Sequence, residues 1–381
     1  MDRDGLGRQL FRARARAAGW RALRRASSAI LLLFLLPWLS GCQTLRFYTQ
    51  AIHGQCQIIH RETSIKRLLT RTNVEPQLSA KLRLVLSLRA FAETELGLEA
   101  DGHYLKYADL GRRYAVWNVY AAPEFSLEAR SWWYPIVGRM KYQGYFNEEA
   151  AQDYAARLAA RGDDVFVGGV EAYSTLGWFR DPVLNTFIFD SETDLAELLF
   201  HELAHQKVFA PGDTDFNEAF ATATAEEGVR RWMHSQQRPD ALAQYESEER
   251  RQQEFVSLLS RTRAKLELLY TNAIASNTPP AQTRARKAQV FADLKSEYES
   301  LKARWSGAND YDNWFSRPPN NARLNTVETY YRWVPAFRRI LHERCNDQLE
   351  EFFREATRLT KLDKEARHQH LDSLKEANSE K

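Results

Sequence analysis

The run His201-Glu202-Leu203-Ala204-His205 sets two imidazoles four residues apart, with a carboxylate directly after the first. On a helix, positions i and i+4 share one face, so both rings can reach a single metal ion. Glu202 projects to the flank of that face, where its carboxylate can accept a proton from water without becoming a ligand. A zinc site that keeps one position open for chemistry takes three protein ligands. Asn217-Glu218-Ala219-Phe220-Ala221 begins twelve residues after His205, beyond a break at Pro211-Gly212-Asp213. An antiparallel second helix would return Glu218 to the two histidines. Glu226, Glu227 and Asp215 are further carboxylates that could take the third place. His201, His205 and Glu218 around one Zn²⁺ per chain, with Glu202 as base, is a set suited to attack on an amide bond.

The elements that must hold these residues can be read from periodicity. Leu195, Leu198, Leu199 and Phe200 give an apolar helix leading into His201, with Ser191 and Asp194 as its N-terminal cap. A second helix is expected from about Asp215 to His234. Residues 43–100 read mainly as helix, through Ile65, Leu68, Leu82, Val85, Leu88 and Phe91. Between 101 and 190, short runs of aromatic, β-branched and glycine residues predict the sheet. Residues 240–306 read as a long helical hairpin around the turn 277–280, either a packing element or a partner-binding arm. The charged tail after Leu362 is expected to fray. The fold class is therefore α+β: a small sheet packed on the His201–His205 helix, and a mostly helical C-terminal half.

Composition narrows the class further. At 44% hydrophobic, with ten Trp, sixteen Tyr and twenty Phe, the chain can bury a sizeable core. The formal charge of +3 arises in residues 1–41, where eight Arg face Asp2 and Asp4, so the remainder is net acidic. Nothing in that balance suggests a nucleic-acid surface. Arg12, Arg14, Arg16, Arg21, Arg24 and Arg25 precede an apolar stretch at 29–39, too short to span a bilayer and ending in Leu39-Ser40-Gly41-Cys42. This is the pattern of a signal peptide over 1–41 with lipidation on Cys42, which then opens one metal-binding domain over 42–381. Cys56 and Cys345 remain. They could pair in an oxidising compartment, or stay as buried free thiols.

The segment ending at Cys42 resembles the lipobox of bacterial lipoproteins, and Gln43 after it implies the outer membrane, facing the periplasm. The pentapeptide 217–221 is similar to the NExxA/S element of the thermolysin and aminopeptidase N families, the gluzincins, in which that Glu is the third zinc ligand. The connection from His205 is shorter here than in those families. More widely, the chain resembles a family of bacterial lipoproteins described as predicted aminopeptidases. The carriers are Gly54-Gln55, the runs 117–127 (WNVYAAPEFSL) and 172–179 (AYSTLGWF), Gly144-Tyr145-Phe146, Asp181-Pro182-Val183-Leu184, 200–206 (FHELAHQ), Phe216-Asn217-Glu218, Tyr330-Tyr331, and Val334-Pro335-Ala336-Phe337. Trp133 and Arg139 stand where that family has cysteines, so a local disulfide is not expected. The resemblance implies a zincin-like fold, zinc, and peptide or protein substrates.

Three further expectations concern substrate. The run 167–176 would be a sheet edge able to pair with extended peptide backbone, or an ordinary core strand. Within it, Glu171 and Tyr173 are candidate substrate-binding residues. By resemblance to the exopeptidase motif of aminopeptidase N, Glu171 would meet a free amine. Tyr330 and Tyr331 are candidate donors to a tetrahedral oxyanion, a role often filled by Tyr or His in the zinc peptidases. Two rival readings remain open: a non-catalytic lipoprotein that binds envelope proteins, and a zinc amidase acting on a non-peptide or cell-wall amide.

Overall fold

The computed structural model describes residues 42–134, 138–172 and 180–376. The chain divides into two compact units, Met1–Cys56 and Gln57–Lys381. In the first, the described residues form the start of helix α1 (Cys42–Arg61). The signal-peptide segment 1–41 lies outside the described residues, as does the Cys42 side chain. No helix among the described residues is long and apolar enough to cross a membrane.

The second unit continues with β1 (Thr63–Ser64), α2 (Ile65–Leu69), α3 (Pro76–Thr94), β2 (Lys106–Ala108), β3 (Val116–Pro123), β4 (Trp132–Tyr134), β5 (Gly138–Met140), β6 (Gln143–Tyr145), α4 (Glu148–Ala159), β7 (Asp163–Val170) and β8 (Val183–Leu184). The helical half follows: α5 (Glu192–Lys207), α6 (Thr214–Ser235), α7 (Pro239–Ala275), α8 (Pro280–Arg304), α9 (Asn321–Tyr331), α10 (Val334–Arg339), α11 (Leu349–Thr360) and α12 (Lys364–Glu376). The class is α+β, as expected.

The single expected sheet is instead three small ones: β1-β2-β8, the antiparallel β6-β3-β7, and the β4-β5 hairpin. Pairing explains the difference. Strands of two or three residues bury too little to recruit neighbours, whereas β3 is buried along most of its length and pairs with β7 over eight positions, Val116↔Val170 to Pro123↔Asp163. In that sheet β7 is an edge strand.

Helix α5 is held mainly by helices rather than by a sheet. It packs against α6 and α3, while β7 faces it across a cavity. Small residues allow the close approach: Ala219, Ala221, Ala223 and Ala225 of α6 are buried, and a Cβ at Gly228 would stand 2.7 Å from the Phe200 ring. A side chain at Gly228 would push α5 and α6 apart.

The hairpin α7–α8 is a packing element. Phe255, Leu258, Leu259, Leu266 and Tyr270 meet Phe291, Leu294, Tyr298 and Leu301 in their own apolar cluster, which also takes in Leu127 and Leu324. The tail expected to fray forms α12 instead. Leu371 and Leu374 are buried, and Arg367, 6% exposed, forms an ion pair with Asp213 at 2.6 Å. Two leucines three residues apart and one long-range guanidinium suffice to dock this charged helix. Cys56 is exposed and Cys345 buried, and both are free thiols.

Candidate active site

Helix α5 begins at Ser191, whose hydroxyl accepts the Asp194 N–H at 3.1 Å, so the cap read from sequence is present. Its buried positions, Leu195, Leu199, Phe200 and Leu203, fix the rotation of the helix and turn His201 and His205 towards α6. The reversal between α5 and α6 is closed by Asn217, which accepts the Ala210 N–H at 2.7 Å and donates to the Ala210 carbonyl at 2.9 Å. Gly212 supplies a backbone φ of +76° there, which L side chains rarely adopt. Asp213, in the same turn, holds Arg367 and His368 of α12, the latter at 3.0 Å. Burial alone would raise the Asp213 carboxyl, but His368, Lys364 and Arg367 outweigh it and keep it below its ordinary range. The C-terminal helix thus braces the turn that presents Glu218.

The three predicted ligands converge. His205 Nε2 lies 3.1 Å from His201 Nε2, and Glu218 Oε2 lies 3.2 Å from His201 Nε2 and 3.7 Å from His205 Nε2. Donors bound at about 2.0–2.2 Å around one tetrahedral zinc stand roughly 3.3–3.6 Å apart, so the spacing fits a single ion. Among the described residues this is the one group of three or more His, Cys, Asp or Glu side chains so arranged. Burial alone would raise the Glu218 carboxyl, but the two histidines draw it down to about 2. Burial disfavours a charged His205, yet Glu218 and Glu202 outweigh it and the net shift is upward. Glu218 Oε2 thus faces the Nε2 atoms of both rings.

Glu202 stands beside this group and outside it. Its Oε2 is buried without a hydrogen-bond partner. Burial raises its pKa, with His205 and His201 opposing. It lines, with His201, an open cavity of about 1270 Å³. A carboxylate with a free buried oxygen and a raised pKa is equipped to take up a proton. His205 Nδ1 is also buried without a partner, so no acceptor among the described residues fixes that ring from behind.

The alternative third ligands are engaged elsewhere. Asp215 pairs with Lys141 at 2.7 Å, Glu226 with Arg338 at 2.7 Å and Glu227 with Arg231 at 2.8 Å. Glu171 does reach the cavity, where burial raises its pKa and Arg113 opposes the shift. Its neighbour Asp190 is raised to about 6, by burial first and then by Glu171 and Asp194. Tyr173 lies outside the described residues, and so does the Tyr330 side chain. Tyr331 lines the cavity and accepts a hydrogen bond from Gln252 at 2.9 Å, but the charges acting on it are those of Glu197 and Glu226 rather than Glu218.

Two other tyrosines lie within reach of the Glu218 charge. Tyr120 of β3 lines the cavity, stacks on Phe166 at 6.1 Å and has its pKa pushed up to about 12, by burial and then, against a hydrogen bond from Asn118, by Glu218. Tyr142, 5.6 Å from Tyr120 between ring centroids, is raised by burial and by the same carboxylate. The signal for Tyr120 was its place in the run 117–127. Tyr142 carried none.

Neither the curated proteins nor the solved structures include a match to this chain. A family model described as "Putative aminopeptidase" matches residues 46–371, which takes in the two histidines, Glu202, Glu218 and every wall of the cavity. The chain belongs to that aminopeptidase family.

Proposed function

We propose that the protein is a zinc-dependent peptidase, acting as an aminopeptidase on peptides of the bacterial cell envelope. The observation that carries this reading is the convergence of His201, His205 and Glu218 beside Glu202, whose buried Oε2 has no partner, with His201 and Glu202 lining a cavity of about 1270 Å³. His201, His205 and Glu218 would hold the ion. Bound there, zinc would supply a Lewis acid that polarises a carbonyl and brings the pKa of water towards neutral. Glu202 takes the proton from the attacking water as its oxygen bonds to the carbonyl carbon, then passes it to the leaving nitrogen as the C–N bond breaks. Tyr120, with Tyr331 as the other candidate in the cavity, donates to the developing oxyanion.

The edge strand β7 offers unpaired backbone groups to an extended substrate along the cavity wall. Glu171, Asp190 and Asp194 supply negative charge at one end of that wall for a substrate ammonium. A lipid on Cys42 would tether the chain to the outer membrane, facing the periplasm.

Incubating the purified full chain with a peptide library, with and without chelator, tests the activity. Chelator-sensitive release of N-terminal residues is the expected result. Cleavage that survives complete metal removal would exclude the mechanism. Fractionation tests the anchor: Cys42→Ser should leave the membrane fraction, and its retention there would exclude lipidation as the tether.

A further inference from the structure

Arg323 lies in the first turn of α9 and lines the same cavity as His201 and Glu202, yet it is only 8% exposed. Two of its N–H groups are spent on backbone carbonyls: Nη1 donates to Arg317 at 3.4 Å and Nη2 to Asn313 at 3.0 Å. Nε is buried with no acceptor. The guanidinium is set between the Phe166 ring, 4.9 Å away, and the Trp314 ring, 5.1 Å away. Trp314 Nε1 is itself buried without an acceptor, so two unmatched donors occur in one cluster.

The charge is unmatched as well. Arg367 is about as buried and holds Asp213, and Arg338 holds Glu226, but among the described residues no carboxylate lies within ion-pair distance of Arg323. Asp164 of β7, which accepts from the first N–H of α9, Asn321, at 2.8 Å, is already taken by Lys287 at 2.6 Å. Burial, and then the cationic neighbour Arg317, push Arg323 down to about 10, which still leaves it charged at neutral pH. A cation in the first turn of a helix also faces the positive end of the helix dipole. Burying a guanidinium at such a place is costly unless an anion completes it.

We infer that Arg323 is a carboxylate-binding subsite of the cavity, and that its ligand is a peptide carboxylate, at the C-terminus or on an Asp or Glu side chain. This rests on the peptidase reading for its substrate class, but not for the subsite itself. Phe166, on which the guanidinium stacks, belongs to edge strand β7, and Glu171 follows the far end of the same strand. Five residues of strand span about 17 Å, so an anion-accepting end and a cation-accepting end are set apart by the length of a short peptide. The cavity is thereby matched to short peptides with both termini free.

The test compares three forms of one alanine-rich pentapeptide: the free acid, the C-terminal amide, and the amide with one Glu in its second half. Affinity is measured by calorimetry on zinc-loaded, full-length Glu202→Gln, and cleavage on the wild type. The free acid, or the Glu-bearing amide if the side chain is the source, should bind roughly 10- to 100-fold tighter than the plain amide, the scale of a charge-assisted hydrogen bond. Arg323→Gln in that background should bring the ratio to about one. Arg323→Lys should leave only part of it, because an ammonium cannot present two parallel donors. It also serves if the Gln variant does not fold. Equal binding of all three peptides to Glu202→Gln, or full preference in a folded Arg323 variant, overturns the subsite. Binding preference without any wild-type cleavage removes the peptidase reading and leaves the subsite standing.

Discussion

Helices α5 and α6 carry two carboxylate clusters, about one to two turns apart, and the two are solved in opposite ways. At one, Glu218 faces His201 and His205 with no guanidinium among the described residues in ion-pair range. At the other, Glu197 lies one turn before His201, and Glu226 two turns after Glu218, with Glu249 of α7 beside them. There Arg338 pairs with Glu226 at 2.7 Å and Glu249 at 3.2 Å, and Arg230 pairs with Glu249 at 2.7 Å. The second cluster brings its own cations, which pair two of its three carboxyls. The first has only titratable imidazoles, and so is left open for a cation from outside. Similar residues on one helix pair thus divide into an ion-paired network and a candidate metal site, and the difference is where the positive charge comes from.

The largest expected effect breaks the open cluster. His201→Ala removes a ligand and should abolish stoichiometric zinc, read by metal analysis of the full chain. Glu218→Ala should weaken binding by the loss of one anionic ligand. Full zinc retention by His201→Ala would place the metal elsewhere. Next in size, Glu202→Gln should keep its zinc while losing about 10²–10⁴ in rate, the scale of a positioned general base. Unchanged kcat/KM in that variant would remove Glu202 from the mechanism.

Much of this centre was legible because its determinants are local. The i, i+4 spacing of His201 and His205 and the turn at 211–213 follow from short-range geometry, and Glu218 lands where an antiparallel helix must bring it. What escaped is non-local. Three small sheets replace one because pairing depends on partners such as Val116 and Val170, far apart in sequence. Helix α12 was hidden because its docking uses Arg367 on Asp213, a residue of the active-site turn. Nothing in the sequence singles out Arg323 among its arginines. Only burial between Phe166 and Trp314 distinguishes it.

The closed cluster should fail through stability rather than metal. Arg338→Ala strips Glu226, 1% exposed, of its guanidinium and leaves Glu249 with Arg230 alone. Breaking a buried pair in this way costs roughly 3–5 kcal/mol, so the denaturation midpoint should fall steeply while the folded fraction keeps its zinc. Loss of zinc from still-folded Arg338→Ala would show that the two clusters are not separable.

The smallest effect sharpens the contrast through pH. Glu197, Glu226 and Glu249 share two guanidiniums, Arg230 and Arg338, so one carboxyl is left over. Glu197 accepts a hydrogen bond from the Tyr245 hydroxyl at 3.0 Å and has no ion pair among the described residues. Burial first, then Glu226, with Glu249 and Asp194 adding and Tyr245 opposing, push its pKa from 4.5 to about 8. The folded state therefore keeps a proton that the unfolded chain gives up. The stability this confers is fully present below about pH 4.5 and is lost as pH rises through about 8. A shift of this size is worth on the order of a few kcal/mol across that window. Gln resembles the protonated carboxyl in shape and carries no charge. Glu197→Gln should match the wild type at pH 5 and exceed it at pH 9, in denaturant midpoints measured on the zinc-loaded full chain. Two parallel pH curves would mean that Glu197 is ionised in the folded state, and that the second cluster tolerates an uncompensated charge just as the first one does.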